Sequence, residues 1–290
     1  MSEQVCKADM GDDGAAVVDT YGYPVETTGN AVLDILEHRS STRAFARDDD
    51  DRPVAVTDGQ RAAILHAASR APSAGAMMMY SIVSIREQAT LDRLADLCDH
   101  QPMIAKAPWA LIFVVDYAKW VDLFERAGCF EPEFVERTGK APRRAPGLGD
   151  FAIAAQDAVI AAQNAVVAAE ALGLGSCYIG DIVENAEEVA TLLDLPPYTM
   201  PLSMLIIGTP RKERPAIAHP VVNLVHEERY RRADDATMDA QVAEMDAMFR
   251  PHAREVGERV VDIYTRKHTS PFMAEMSRSM EWWFKNWLGK

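Results

Sequence analysis

The segment from Phe151 to Leu172 places the strongest constraint on what this chain can fold into. It is rich in alanine and has apolar residues on nearly every side of the helix that it predicts. A helix that is apolar all round belongs in a protein core, and small alanine side chains let neighbouring helices come close. We therefore predict a core helix that is buried all round and lies at a subunit interface. Because one small sheet cannot cover so much apolar surface, we expect an obligate homodimer.

Charge and hydropathy exclude several classes of protein. The formal net charge is −14, whereas a protein that binds the nucleic-acid backbone needs a positive surface. No apolar run reaches the roughly 18 residues of a membrane-spanning helix. Residues 1–29 lack the basic and apolar regions of a signal peptide. We therefore expect a soluble, cytoplasmic protein that has neither a nucleic-acid partner nor a membrane partner.

The candidate metal ligands are scattered along the chain. Cys6, Cys98, Cys129 and Cys177 form no CxxC pair, and the seven histidines show no metal-ligand spacing. The run Asp48–Asp51 repels itself and is typical of a hydrated surface loop. We predict reduced thiols, no disulfide framework and no metal site.

Hydrophobic periodicity and turn residues predict helices that alternate with short apolar strands. Apolar strands or strand-like segments are predicted at 79–85, 109–115, 177–179 and 200–207, and helices at 31–37, 59–69, 91–98, 151–172, 186–193 and most of 238–288. This order indicates an α+β fold with helices around a small sheet. The predicted divisions are an N-terminal extension (1–30), a main domain (31–230) with a lid-like insertion (119–149), and a helical C-terminal extension (231–290).

Two short basic motifs are candidate ligand-binding sites, the first of them for a phosphate group. The first is Arg39-x-Ser41-x-Arg43, directly after a predicted helix, and the second is Lys212-x-Arg214, after a buried strand. Guanidinium groups match phosphate oxygens in charge and geometry. Taken alone, each motif would more often be a solvated turn. A Gly-x-Gly at 173–175 does not follow a strand as a dinucleotide fingerprint requires, so we reject a Rossmann domain.

An ordered set of motifs over about residues 31–230 resembles the FMN-dependent nitroreductase family. The matching segments are EHRSSTRAF (37–45), APSAG (71–75), HQPMIAKAP (100–108), QNAVVAAEALGLG (163–175), YIG (178–180) and LIIGTP (205–210). The set is specific as a whole, although no single segment is. The resemblance implies a central, mostly antiparallel sheet surrounded by helices, an intertwined homodimer, and FMN as the cofactor. The long helical C-terminal part is most similar to the larger, NADPH-preferring flavin reductase branch.

The resemblance also implies roles for individual residues in cofactor binding. The two basic motifs correspond to the FMN phosphate site and the polar flank of the flavin, at Arg39, Ser40, Ser41, Arg43, Lys212 and Arg214. The loop beside the pyrimidine edge of the flavin corresponds to Pro72, Ser73 and Ala74. The segment over the other face, where a backbone N–H approaches flavin N5, corresponds to Tyr178, Ile179, Gly180 and Asp181. In the family these residues come from both subunits.

Three positions depart from the family pattern. Ala76 and Met78 replace the Asn and Gln whose amides usually contact the flavin edge, and Met77, Met78 and Met79 make that wall apolar. Asp181 stands where a second glycine often follows Gly180. A carboxylate near N5 would disfavour a reduced, anionic flavin, so the redox tuning of the flavin stays open.

The insertion is the candidate for acceptor selection. Its aromatic and basic residues predict a lid over the flavin, through Phe124, Phe130, Phe134, Arg143 and Arg144. Aromatic rings favour flat acceptors through offset stacking, and arginines favour anionic groups. The alternative is a solvated surface loop, because basic, proline-rich stretches are usually that.

The leading hypothesis is an enzyme in which NAD(P)H reduces FMN and an acceptor, such as a nitroaromatic or a quinone, is then reduced in a ping-pong cycle. No Ser-His-Asp or Cys-His relay can be recognised, which suits a reaction that the flavin itself carries. In one alternative, the protein is still an FMN enzyme but catalyses a different reaction on one specific metabolite, for example reductive dehalogenation or dehydrogenation. Another is a flavin-binding protein without turnover. The sequence does not decide between NADH and NADPH as the reductant.

Overall fold

The computed structural model describes residues 29–140, 143–212 and 222–289. The chain forms two compact units. The first unit comprises Met1–Ser40 and Arg214–Met273, and the second comprises Ser41–Glu213 and Ala274–Lys290.

A four-stranded antiparallel sheet forms the centre of the second unit. The strands β1 (Tyr80–Ile85), β2 (Trp109–Asp116), β3 (Gly175–Ile179) and β4 (Thr199–Gly208) lie in the order β1-β2-β4-β3. All eight residues of β2 are buried, as its continuous apolar run predicts for a strand covered on both faces. The predicted α+β architecture with a central antiparallel sheet is confirmed.

Helices occupy most of the positions that periodicity predicts. Their bounds are α1 (Ala31–His38), α2 (Asp58–Ser69), α3 (Gln88–Leu97), α4 (Pro102–Ala105), α5 (Ala118–Arg126), α6 (Pro132–Thr138), α7 (Leu148–Ala171), α8 (Ala186–Leu192), α9 (Asp235–Phe249), α10 (Glu258–Ile263) and α11 (Pro271–Trp287). Side-chain caps fix the starts of α1, α2 and α9: Asn30 accepts from the amides of Val32 and Leu33, Thr57 forms a reciprocal capping box with Gln60, and Asp234 accepts from the Thr237 amide. Helices α5 and α6 give the insertion regular structure that the sequence analysis did not predict.

Helix α7 is the core helix that the sequence predicts, but it is not buried all round in a single chain. One face is a row of buried small residues, including Ala158, Ala161 and Ala165, and this helix packs against α2 and the sheet. Ile153 and Val159 on α7 remain 45% and 47% exposed. The prediction of complete burial is therefore wrong for the single chain, because one sheet and one helix cover only part of a helix surface.

The same helix could cross a membrane by length and composition alone. Its contacts are those of a core helix. The buried Asp157 carboxylate, in the middle of α7, accepts hydrogen bonds from the loop that precedes β1, and the alanine face lies against the sheet.

In the first unit, two aspartates join α9 to α10 and the turn after it. The carboxylate of Asp246, in α9, accepts the backbone amides of Gly257 and Arg259 at 2.6 and 2.9 Å. Asp262, in α10, pairs with three arginines, Arg250, Arg259 and Arg266. These contacts hold the turn between α9 and α10, and α10 continues as a π-helix over Tyr264–His268.

The end of α11 belongs to the core of the second unit. Trp283 and Trp287 are fully buried. The Trp283 indole donates to the Val183 carbonyl at 2.9 Å, and the Trp287 indole donates to the Gly147 carbonyl at 3.2 Å. The aromatic end of the chain is thus a structural part of this unit, because each buried indole N–H has found an acceptor.

Candidate functional site

The first basic motif starts at the end of α1, in the first unit. The Arg39 amide donates to the Ile35 carbonyl at 3.0 Å and ends the helix. Its Nε atom is buried, and no acceptor lies within hydrogen-bonding distance in the described ranges. Ser40 is buried as well. An unsatisfied buried guanidinium nitrogen is costly, so Arg39 has the chemistry of a donor to an anionic ligand.

The motif continues in the second unit as a segment that crosses the ends of β3 and β4. The Thr42 amide donates to the Ser176 carbonyl at 2.8 Å, and Ala46 donates to the Thr209 carbonyl at 2.8 Å. The Arg211 amide donates back to the Ala44 carbonyl at 3.0 Å. Two segments that are far apart in sequence, 41–46 and 209–211, are therefore hydrogen-bonded neighbours.

Glycine is required where these two segments meet. A Cβ atom on Gly208 would lie 2.7 Å from Pro108 and 2.8 Å from Phe45. Both are ring atoms in a packed environment, and Phe45 is buried. The Gly-Thr-Pro turn after β4 thus lets the basic segment lie directly against the end of the sheet.

A basic cavity opens beside this junction. It has a volume of 610 Å³ and is lined by four cations and one carboxylate: Arg43, Arg47, Lys106, Arg211 and Asp51. The Arg47 guanidinium is 3.5 Å from the Asp51 carboxylate, which leaves a clear excess of positive charge in a chain whose formal net charge is −14. Such a donor set fits a phosphate group.

The sequence analysis identified only part of this cavity. It predicted Arg43 but not Arg47, Lys106 or Arg211. Lys106 precedes β2 and carries no local signal, because its position at the cavity follows only from the antiparallel pairing of β2 with β4. Ser41 is half-buried in the same segment, and Lys212 is exposed. The predicted Arg214 lies outside the described residues.

The loop before β1 is fixed by one buried carboxylate. Asp157 Oδ1 accepts the Ala74 amide at 3.0 Å, and Oδ2 accepts the Ser73 hydroxyl at 2.7 Å and the Met79 amide at 3.2 Å. The Ser73 hydroxyl is therefore engaged by α7. Pro72 and Ala74 are exposed and remain available to a ligand.

The predicted methionine wall is reduced to one exposed side chain. Met79 is buried in the core, Met77 packs against that core, and Met78 is 40% exposed. The prediction that all three form the wall is wrong, because the Met79 side chain packs in the hydrophobic core, where its backbone amide donates to Asp157. The backbone at Ala76 and Met78 is left-handed, with φ of 54° and 49°.

The segment after β3 combines an exposed ring with a turn. Tyr178 is 38% exposed, Ile179 is buried, and Gly180 is exposed at the start of a 3-10 turn (Gly180–Val183). The Asp181 carboxylate accepts the Gln101 side-chain amide at 2.7 Å. Burial and the nearby Asp181 charge raise the pKa of the Cys98 thiol, so that thiol stays neutral.

All five residues predicted for the lid line one cavity in the second unit. The cavity has a volume of 270 Å³, and its walls are Tyr117, Val121, Phe124, Cys129, Phe130, Phe134, Arg143 and Arg144. Across the three described ranges, no group of three or more His, Cys, Asp or Glu residues is placed to hold a metal ion.

Comparison with known proteins identifies the family. The nitroreductase family model matches residues 36–209. The chain is 31% identical over 215 residues to an FMN reductase (NAD(P)H) of Bacillus subtilis strain 168, and the alignment covers 73% of this chain and 79% of that protein. It is 32% identical over 218 residues to an oxygen-insensitive NADPH nitroreductase of Salmonella typhimurium strain LT2, and this alignment covers 73% of this chain and 81% of that protein.

A solved structure has the same fold. The NADPH:FMN oxidoreductase from Vibrio harveyi complexed with NAD+ matches with a TM-score of 0.66 and 25% identity, over 86% of this chain and 97% of that one. The sheet order, the ordered motifs and a family match across more than half of the sequence agree. The chain belongs to the nitroreductase family.

Proposed function

We propose that this protein is an FMN-dependent oxidoreductase that takes electrons from NADH or NADPH and reduces nitroaromatic, quinone or related small molecules. The relatives described above are named as an FMN reductase and a NADPH nitroreductase. The proposed cycle is ping-pong, so that the oxidised nicotinamide leaves before the acceptor enters.

The basic cavity beside Arg43 is the observation that carries this proposal. Its excess of guanidinium and ammonium groups fits the phosphate of FMN, and phosphate recognition by arginine forks is strong and directional. The family resemblance adds Arg39, Ser40, Ser41, Lys212 and Arg214 to the proposed phosphate site. Arg47, Lys106 and Arg211 join that set on the evidence of the cavity.

The other predicted segments provide surfaces suited to the flavin ring. Pro72 and Ala74 are exposed on a loop that Asp157 holds in one conformation, and Ser73 contributes by fixing that loop. Gly180 presents its backbone without a side chain, next to the exposed Tyr178 ring. When bound, FMN supplies the electron transfer, so the residues of the chain only bind, orient and exclude water.

The proposal includes a homodimer, as is general in the family. The exposed apolar residues on α7, among them Ile153, Val159 and Ile160, form part of the surface that the second subunit would cover. Apolar surface of this kind on a core helix marks an interaction site. An intertwined arrangement, with both chains contributing to each flavin site, belongs to the same proposal.

We place the protein in the cytoplasm. Of the cysteines that the structure describes, Cys98 and Cys177 are buried and Cys129 is half-buried, and none of the three forms a disulfide. Thiols that are not oxidised are typical of a reducing compartment.

The residues of the insertion are proposed to select the acceptor. Trp120 connects α5 to the proposed flavin loop, since its indole donates to the Met77 carbonyl at 2.9 Å. Replacing residues 127–142 with a short Gly/Ser linker would remove α6 and keep Trp120. We expect FMN to stay bound and the Michaelis constant of the acceptor or the nicotinamide to change about tenfold.

The decisive experiment is anaerobic reduction of the FMN-loaded protein. We expect purified protein to be yellow and to bleach on addition of NADH or NADPH, and a panel of acceptors to restore the colour. Yellow protein that never bleaches would support a flavin-binding protein without turnover. Bleached protein that only one specific metabolite re-oxidises would support a dedicated metabolite reductase.

The phosphate site is tested by removing single charges. We expect Arg43→Ala and Arg211→Ala each to weaken FMN binding by about ten- to a hundredfold, because one charge-assisted bond contributes roughly 1.5–3 kcal/mol. Arg52→Ala, in the adjacent exposed loop, is the matched control. Equal FMN affinity in all four proteins would contradict the assignment.

A further inference from the structure

The cavity within the insertion is built as an aromatic cage. Phe124 and Phe130 meet edge to face, with ring centroids 6.4 Å apart at an interplanar angle of 77°. Phe134 and Tyr117 add ring surface. The three phenylalanines are half-buried, and the volume of 270 Å³ lies just below the usual range for drug-sized ligands, which starts at about 300 Å³. The cage therefore suits a ligand with a single ring.

The two arginines of the cage have different electrostatic roles. Arg144 is neutralised by Asp150, whose carboxylate oxygens lie 2.6 and 2.9 Å from the guanidinium nitrogens. Asp150 also accepts the Gly147 amide at 2.8 Å, so this pair is part of the start of α7. Burial raises the pKa of Tyr117, which keeps that phenol uncharged.

Arg143 supplies the uncompensated charge of the cage. Its guanidinium lies over the Phe130 ring, 4.9 Å from the centroid, and no carboxylate in the described parts of the chain forms a salt bridge with it. A cation held against an aromatic face keeps its N–H groups directed outward for a second partner. The cage thus combines aromatic walls with one net positive charge.

We propose that this cavity binds a one-ring aromatic anion, such as a benzoate-type carboxylate, with the ring among Phe124, Phe130 and Phe134 and the carboxylate on Arg143. The site consists only of residues of the insertion and its flanks. The proposal goes beyond the acceptor selection proposed for the insertion, because the bound acid lies outside the proposed flavin site, and its binding can be measured without any turnover.

The cavity is connected to the loop before β1 through one residue. Trp120 contacts Phe124, with ring centroids 5.5 Å apart, and hydrogen-bonds the Met77 carbonyl. A ligand that fixes Phe124 therefore restrains the loop that carries Pro72 and Ala74. Aromatic acids occupying the cavity would in this way influence the proposed flavin site from outside it.

The test is equilibrium binding of 4-chlorobenzoate to the full-length, FMN-loaded protein in the absence of nicotinamide. We expect 4-chlorobenzoate to bind saturably to the wild type and about tenfold more weakly to Arg143→Ala. The neutral 4-chlorobenzamide should bind more weakly than the acid does to the wild type, and with the same affinity to both proteins. Arg137→Ala is the matched control, since Arg137 lies over Phe134 but does not line the cavity. Equal affinity in Arg143→Ala and wild type, or an equal loss in Arg137→Ala, would overturn the proposal.

Cys129 provides a second, independent measurement. It lines the cavity, so the bound acid should slow alkylation of the Cys129-containing peptide severalfold in the wild type, and much less in Arg143→Ala at the same concentration of the acid. Unchanged alkylation at saturating ligand, together with a shifted flavin absorbance, would place the acid on the flavin and overturn the proposal. Because no reductant is present, failure here is distinguishable from failure of the proposed enzymatic activity.

Discussion

Ala76 occupies a backbone conformation that suits another residue. Its φ of 54° lies in the left-handed region, which costs an L-residue roughly 1–2 kcal/mol and which Asn tolerates better than Ala. The family pattern usually has Asn here, with its amide at the flavin edge. The departure therefore removes a hydrogen-bonding group and leaves a strained backbone.

We expect Ala76→Asn to raise the free energy of unfolding by about 0.5–1 kcal/mol, by recovering part of the left-handed penalty, and to strengthen FMN binding. Urea unfolding of the FMN-free protein and a flavin titration measure the two effects separately. Ala74→Asn is the control, because Ala74 has no positive φ. A stability gain of the same size in the control would show that strain at residue 76 is not the cause.

Asp157 fixes the conformation of the loop before β1, which is the proposed flavin loop. Its carboxylate accepts three hydrogen bonds, from Ser73, Ala74 and Met79, at a position that is 2% exposed. Asparagine has one acceptor oxygen and directs an NH₂ group at a donor. We expect Asp157→Asn to lower the free energy of unfolding by about 1–3 kcal/mol and to weaken FMN binding, whereas the exposed Asp122→Asn should do neither. Wild-type stability of Asp157→Asn in urea would refute this account.

At the scale of elements, a polar cluster attaches α11 to α8. The Glu275 carboxylate accepts the Asn185 amide at 3.2 Å and the Ser279 hydroxyl at 2.7 Å, and it pairs with Arg278 at 2.8 Å. Arg278 also pairs with Glu187 at 2.8 Å. The hydrogen bonds from Arg278 are the largest of the effects that lower the pKa of Glu275 to about 2.

The lowered pKa of Glu275 determines the direction in which the stability of the folded protein changes with pH. The folded chain favours the ionised form of Glu275. The contribution of this carboxylate to the free energy of unfolding is therefore fully present above the ordinary pKa of 4.5 and is lost as the pH falls toward about 2. We expect Glu275→Gln to destabilise the protein near neutral pH and to differ progressively less from wild type below pH 4.5. Urea unfolding at several pH values measures this, with the exposed Glu281→Gln as control. A difference that does not change with pH would exclude ionisation of Glu275 as the source.

At the scale of the whole molecule, α7 connects the core to the proposed subunit interface. Its alanine face fills the core, while Ile160 and Val159 remain 39% and 47% exposed. Light scattering should show a mass well above the 32.0 kDa of one chain. We expect Ile160→Lys to shift the protein toward monomer and to lower its stability, while Val54→Lys, at another exposed apolar position, should leave the mass unchanged. A stable wild-type monomer at micromolar concentration would refute the dimer.

Local patterns in the sequence were sufficient for the elements and the family. Alternation, apolar runs and capping residues placed β2, β4, α2 and α7 to within a few residues, because these signals act over one strand or one helical turn. The ordered motifs indicated the nitroreductase family, which the family match confirms. A capping residue such as Asn30 fixes the start of a helix by accepting hydrogen bonds from backbone amides two and three residues later. Such helix starts can therefore be predicted from the sequence without the tertiary structure.

The tertiary structure alone decided which residues meet. Arg43, Lys106 and Arg211 come together because β2 and β4 pair and Gly208 permits close contact. The Met79 side chain packs in the core, and its backbone amide donates to Asp157, 78 positions later in the sequence. The apolar composition of α7 could not reveal which face stays exposed, since burial depends on the neighbours that a helix acquires. Contacts between distant segments are set by packing of the whole chain, and no local pattern encodes them.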